Sequence, residues 1–113
     1  MIIPFEKVTS GEFAVIGITA NYCRFSPNFL ERLEQVSQID QYEKIVFYQA
    51  DIEQHQHLVE YGIKGTPAIL ILSEPYIKDC YTGNFNYLQI CSLINLSLSS
   101  LSKKFNELTN DEQ

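Results

Sequence analysis

The chain has 113 residues, 45% of them hydrophobic and 12% aromatic, and a formal net charge of -6. That length suits one domain with a single core, and the apolar content excludes a disordered chain. The acidic balance argues against nucleic acid, whose phosphates require a basic face, and no run approaches the roughly 20 apolar residues that span a bilayer.

In chain order, residues 13–19 (FAVIGIT) make a short, almost continuous apolar run, as expected of a strand buried on both faces. Residues 22–27 (YCRFSP) follow as a polar, aromatic-flanked turn. Residues 28–39 place Phe29, Leu33 and Val36 on one helical stripe, with Glu31, Arg32, Glu34 and Gln35 mostly elsewhere. Residues 45–50 (IVFYQA) read as a second strand, and residues 53–61 as a short polar helix closed by Gly62 at the C-cap. Residues 68–72 (AILIL) and 77–81 are a third and a fourth strand. The connection Ser73-Glu74-Pro75-Tyr76 is short enough for an antiparallel hairpin. A last helix carries Tyr87, Cys91, Ile94, Leu98, Leu101 and Phe105 on one stripe, with Cys91 expected in the core. A polar tail is expected over 106–113, leaving 1–105 as the domain. With a minor strand at Ile2 and Ile3, the order is that of an α/β domain with a central mixed sheet and helices on both faces.

Three cysteines are an odd number and too few for a disulfide scaffold. The opening Met-Ile-Ile-Pro-Phe-Glu-Lys has no basic stretch ahead of an apolar one, so a reducing, cytoplasmic setting is expected. In such a setting an exposed cysteine is more plausibly reactive than structural. Cys23 lies three residues before Ser26, at the start of a helix whose positive end favours a thiolate. A plainer reading stays open, with Ser26 as N-cap, Pro27 as first helical residue and Cys23 as a loop cysteine one turn outside. His55 and His57 stand two apart, share no helical face, and do not suggest a metal site.

These pieces together resemble the thioredoxin fold over about residues 13–101. Ala20-Asn21-Tyr22-Cys23 is similar to the Ala-x-Trp-Cys of thioredoxins, and Tyr48-Gln49-Ala50-Asp51 to the family's strand ending in Asp. Tyr61-Gly62-Ile63-Lys64-Gly65-Thr66-Pro67 is similar to the block that ends in a cis proline, and Gly83 to the glycine before the last helix. The resemblance implies that Cys23 is the nucleophile, and that Thr66 and Pro67 present a short edge to an extended client segment. Tyr22 and Phe25 are then candidate client contacts.

The departures matter as much as the match. Ser26 replaces the second cysteine, Gly17 the buried acid and Gln49 its lysine neighbour, while Arg24 and Phe25 replace glycine and proline. Arg24 is expected to favour the thiolate by its charge. Cys-Arg-Phe-Ser also resembles the motif of a monothiol member of the protein disulfide isomerase family, and more distantly the Cys-Gly-Phe-Ser of monothiol glutaredoxins. The implied activity is thiol–disulfide exchange through mixed disulfides with client proteins or glutathione. The alternative is a non-catalytic module that binds clients in the same groove. Neither a metal nor another cofactor is expected, and an iron–sulfur cluster is disfavoured because Arg24 stands where the cluster-binding relatives have glycine.

Overall fold

The computed structural model describes residues 1–8, 11–73 and 77–110. The elements are β1 (Ile2–Pro4), β2 (Phe13–Thr19), α1 (Ser26–Ser37), a 3-10 turn (Asp40–Tyr42), β3 (Val46–Asp51), a 3-10 helix (Gln56–Tyr61), β4 (Ala68–Ser73), β5 (Ile77–Thr82) and α2 (Tyr87–Asn110). The strands form one mixed sheet in the order β1-β3-β2-β4-β5. β1 and β2 run parallel to β3, whereas β4 runs antiparallel to both β2 and β5.

Strand side chains alternate between two apolar layers, as the pleat requires. Ala14, Ile16 and Ile18 of β2 face Tyr48, Ala50, Ala68, Leu70 and Leu72, together with Leu58 of the 3-10 helix. Val15, Phe47, Ile69 and Ile71 face the other way, against Phe29, Leu33 and Val36 of α1 and Ile90 and Ile94 of α2. Helical elements therefore cover both faces, as the sequence pattern implied, with α1 and α2 sharing one of them.

The opposite face has a different cover. Residues on both sides of the β1–β2 connection fasten on Tyr48 of β3. Phe5 meets the Tyr48 ring edge-on at 5.5 Å, and the Tyr48 hydroxyl donates to Glu12 Oε1 at 2.7 Å. Phe5 also lies against His55 and His57, so both histidines belong to this packing; among the described residues no cluster could hold a metal ion.

Several expectations need correction. α1 begins at Ser26 rather than Asn28 and ends at Ser37 rather than Ile39. The polar segment after β3 is 3-10, and it starts only at Gln56. The cause is Asp51, whose carboxylate accepts the Glu53 N–H at 2.8 Å while its carbonyl accepts Gln54 and His55 N–H at 3.0 Å each. That turn holds residues 53–55 out of a helix. Gly62 closes the segment at φ 98°, a left-handed geometry that glycine adopts without strain. Among the described side chains of α2 the buried ones are Ile90, Ile94 and Ser97; Tyr87 is exposed and Cys91 only half-buried. Ser97 is tolerated there because its hydroxyl donates to Asp79 Oδ2 at 2.9 Å. Leu101 and Phe105 lie outside the described side chains, and residues 74–76 of the expected hairpin lie outside the described residues. α2 runs from Tyr87 through Asn110. The spacing Leu98, Leu101, Phe105, Leu108 continues helical periodicity through that polar stretch.

The Tyr48 phenol is pushed up to about 12, first by burial and then by the Glu12 carboxylate that accepts its proton. In the unfolded chain the group titrates near 10, so its contribution to stability is complete below that pH and is lost as pH rises through the folded value. The melting temperature should therefore fall more steeply between about pH 10 and 12 in the wild type than in Tyr48→Phe. Parallel alkaline profiles for the two proteins would contradict this.

Candidate active site

β2 delivers the chain to a compact turn. The Cys23 N–H donates to the Ala20 carbonyl at 3.0 Å, and the Ser26 N–H donates to the Cys23 carbonyl at 3.2 Å. Phe25 holds the cap position with helical dihedrals (φ -86°, ψ -12°), and Ser26 and Pro27 are the first two helical residues. Ser26 is thus inside the helix and does not cap it. Phe25 offers no capping side chain, so the first N–H groups of α1 are left for another partner.

Of these, the Ser26 N–H bonds the Cys23 carbonyl and also favours the Cys23 thiolate, and Pro27 has no N–H to satisfy. Cys23 is half-exposed. Burial pushes its thiol up, but hydrogen bonds from the Ser26 hydroxyl, the Phe25 N–H, the Thr66 hydroxyl and the Ser26 N–H outweigh it, and the group lies below its ordinary value. All four donors favour the anion over the thiol. Ser26 is itself only 8% exposed, and its hydroxyl otherwise makes long contacts with the Ala20 backbone, donating to the carbonyl at 3.4 Å and accepting from the N–H at 3.5 Å.

Thr66 reaches the site from the segment that precedes β4. The Thr66–Pro67 peptide is cis, Pro67 is buried, and its carbonyl accepts the Gly83 N–H at 2.9 Å. Cys23, Phe25, Ser26 and Thr66 are therefore neighbours in the structure. The part played by the Thr66 hydroxyl and the Phe25 N–H was not anticipated. A threonine before a proline reads as a backbone feature, and nothing in the sequence aims its side chain at residue 23.

The Arg24 guanidinium stands over the Phe25 ring at 5.0 Å, a cation–π contact on the exposed rim. The groups named above that lower Cys23 are neutral hydrogen-bond donors. Tyr22 is 76% exposed and Phe25 42%, so two aromatic surfaces flank the sulfur without a packing role that would explain them. Cys80 contrasts with Cys23, since burial pushes its thiol up.

Gly17 and Gln49 are direct neighbours in the β2–β3 register. A Cβ on Gly17 would stand 2.4 Å from Leu33 Cδ2 and 3.4 Å from Phe29 Cε1. The room that a side chain at 17 would need is filled by α1. Gln49 is exposed.

No family model matches the sequence, and no curated protein does so significantly. Solved structures do. The thioredoxin Mala s 13 of Malassezia sympodialis superposes with a TM-score of 0.66 at 21% identity, over 77% of this chain and 78% of that one. A chain of the complex of ferredoxin:thioredoxin reductase with thioredoxin f2 gives 0.65 at 21% identity, over 78% and 79%. Fasciola hepatica thioredoxin gives 0.64 at 17% identity, over 76% and 81%. At these identities the likeness establishes the fold: this chain has the thioredoxin-like fold, a mixed five-stranded sheet flanked by helices.

Two outcomes follow from the site geometry. Limiting iodoacetamide at neutral pH should label Cys23 ahead of Cys80, and Ser26→Ala should slow that labelling and move its pH midpoint upward. Preferential labelling of Cys80, or an unchanged midpoint in Ser26→Ala, would contradict the hydrogen-bond account. Gly17→Ala should destabilise the fold by about 1–3 kcal/mol through overpacking against Leu33, and the same change made in a Leu33→Ala background should cost less. A neutral Gly17→Ala in denaturant melts would show that α1 can shift freely.

Proposed function

We propose that this protein carries out thiol–disulfide exchange as a monothiol, with Cys23 holding client proteins through mixed disulfides. The observation that carries the reading is a half-exposed Cys23 at the turn into α1, three residues before Ser26 and with the cis Thr66–Pro67 segment beside it, whose thiol lies below its ordinary value. A lowered value increases the thiolate fraction at neutral pH, and thiolate is the attacking species in exchange.

In the step itself, the Cys23 thiolate bonds to one sulfur of a client disulfide as the client S–S bond breaks. The other client sulfur leaves with the bonding pair and takes a proton from solvent. One disulfide replaces another, and no external oxidant or cofactor enters. Ser26 occupies the position from which a second thiol would attack the mixed disulfide. A hydroxyl does not do so, and release falls to a thiol of the client, of glutathione or of another protein. A reducing, cytoplasmic setting would supply such thiols.

Tyr22 and Phe25 give the client apolar contact, and the Thr66–Pro67 segment gives an edge for an extended peptide. Arg24 adds positive charge at the rim of the same surface. A binding module that uses this groove without covalent chemistry would need the aromatics and the edge, but not four donors on a sulfur.

Incubation with oxidised glutathione, read by intact mass and peptide mapping, should give an adduct on Cys23. Ser26→Cys should gain thiol-dependent insulin reduction that the wild type lacks or performs slowly. The gain should be partial, because Gly17 and Gln49 provide no acid or lysine to manage the proton of the new thiol. Wild-type turnover as fast as that of Ser26→Cys would refute the monothiol mechanism. No adduct in either protein would leave the binding module as the function.

A further inference from the structure

Thr66 can donate to Cys23 only if the segment before β4 is held against the first turn of α1. The structure contains a path that does this. The Arg32 guanidinium, one helical turn and a half beyond Ser26 on α1, donates from Nη1 to the Phe85 carbonyl at 2.6 Å across the β5–α2 connection. Arg32 is half-buried. Phe85 immediately precedes the cap of α2, where Asn86 and Gln89 exchange two hydrogen bonds of 2.9 Å each. Because the Gln89 N–H is taken by the Asn86 side chain, the Phe85 carbonyl is open to an acceptor role outside the helix.

The same connection reaches the Thr66 segment. The Phe85 ring lies so close to Gly83 that a Cβ there would stand 3.0 Å from its Cζ. The Gly83 N–H in turn donates to the Pro67 carbonyl at 2.9 Å. The contacts therefore close a loop through the chain: α1 to Phe85 through Arg32, Phe85 to Gly83 by packing, Gly83 to Pro67 by a backbone bond, and Thr66 back to the sulfur beside the start of α1.

We propose that Arg32 is a positioning residue: by fixing the Gly83–Phe85 connection to α1, it holds the Thr66 hydroxyl on Cys23. The inference rests on the exchange reading above, in which Cys23 is the attacking group. Arg32 touches neither the sulfur nor a client; it acts through Phe85, Gly83 and Pro67. A guanidinium suits the task because its fixed, planar donors point a hydrogen bond at a chosen carbonyl, whereas a purely apolar side chain would leave the connection free to slide.

The test follows the pH dependence of Cys23 alkylation by peptide mapping in four chains: wild type, Arg32→Met, Thr66→Val and the double variant. Arg32→Met should raise the midpoint and slow labelling at pH 7 roughly three- to tenfold, as does losing a hydrogen bond to a charged acceptor. Thr66→Val should do the same, and the double variant should be no slower than Thr66→Val alone, because both changes remove one donor. Arg32→Lys, which keeps a donor, should label close to the wild-type rate. If Arg32→Met does not fold, Arg32→Leu, which also lacks a donor, takes its place with the same expectation. An unaltered midpoint in the Arg32 variant, or effects that add in the double variant, would overturn the positioning role while leaving exchange intact. A wild-type midpoint at the value of an ordinary thiol would instead overturn the exchange reading, and the positioning role with it.

Discussion

A single sulfur is served by chain segments far apart in sequence, and the sheet register brings them there. Ile18 of β2 pairs with Ala68 of β4, and Ala68 pairs with Thr82 of β5. Because both pairings are antiparallel, the C-terminal end of β2, the N-terminal end of β4 and the C-terminal end of β5 lie side by side. Cys23 follows the first, Thr66 precedes the second and Gly83 follows the third. Slippage of either pairing would carry Thr66 or Gly83 along the edge and turn the strand's buried side chains to the wrong face. The continuous burial of β4 on both faces makes such slippage costly, and so the core protects the site.

The register also explains how three sequence departures belong together. Gly17 and Gln49 are adjacent across β2 and β3, the two positions at which the thioredoxin resemblance leads one to expect an acid and a lysine. Here the acid's position is not merely vacated. Leu33 of α1 occupies the space its Cβ would need, so the helix that carries Ser26 lies close on β2 because residue 17 has no side chain. With glycine at 17, α1 packs directly against the strand that leads to Cys23.

Much of this was legible in the sequence, for physical reasons that differ between elements. β2 and β4 are nearly pure apolar runs, and only a strand buried on both faces demands that pattern. The block from Tyr61 to Pro67 and the cysteine at 23 carried the resemblance to the thioredoxin fold, which the chain has. Less legible were features decided by a single hydrogen bond. Asp51 diverts residues 53–55 from a helix, Ser97 is buried on account of Asp79, and Phe25 takes a cap position without capping chemistry. The hydroxyl of Thr66 belongs to this group. Its partner is 43 positions away, counting from residue 23 to residue 66, and periodicity carries no information about such pairs.

The kind of stabilisation at Cys23 sets what the rest of the fold must achieve. A thiolate held by a cation would tolerate some misplacement, since Coulomb attraction falls slowly with distance, but solution ions would screen it at an exposed site. A thiolate held by neutral hydroxyl and N–H donors is less exposed to screening, and is far more sensitive to distance and angle. With Arg24 resting on the Phe25 ring, the exchange proposed for Cys23 would depend on the second kind, and so on how firmly α1, the Thr66 segment and the Gly83–Phe85 connection are held to one another. The antiparallel register and the close fit of α1 on Gly17 are the parts of the fold that hold them.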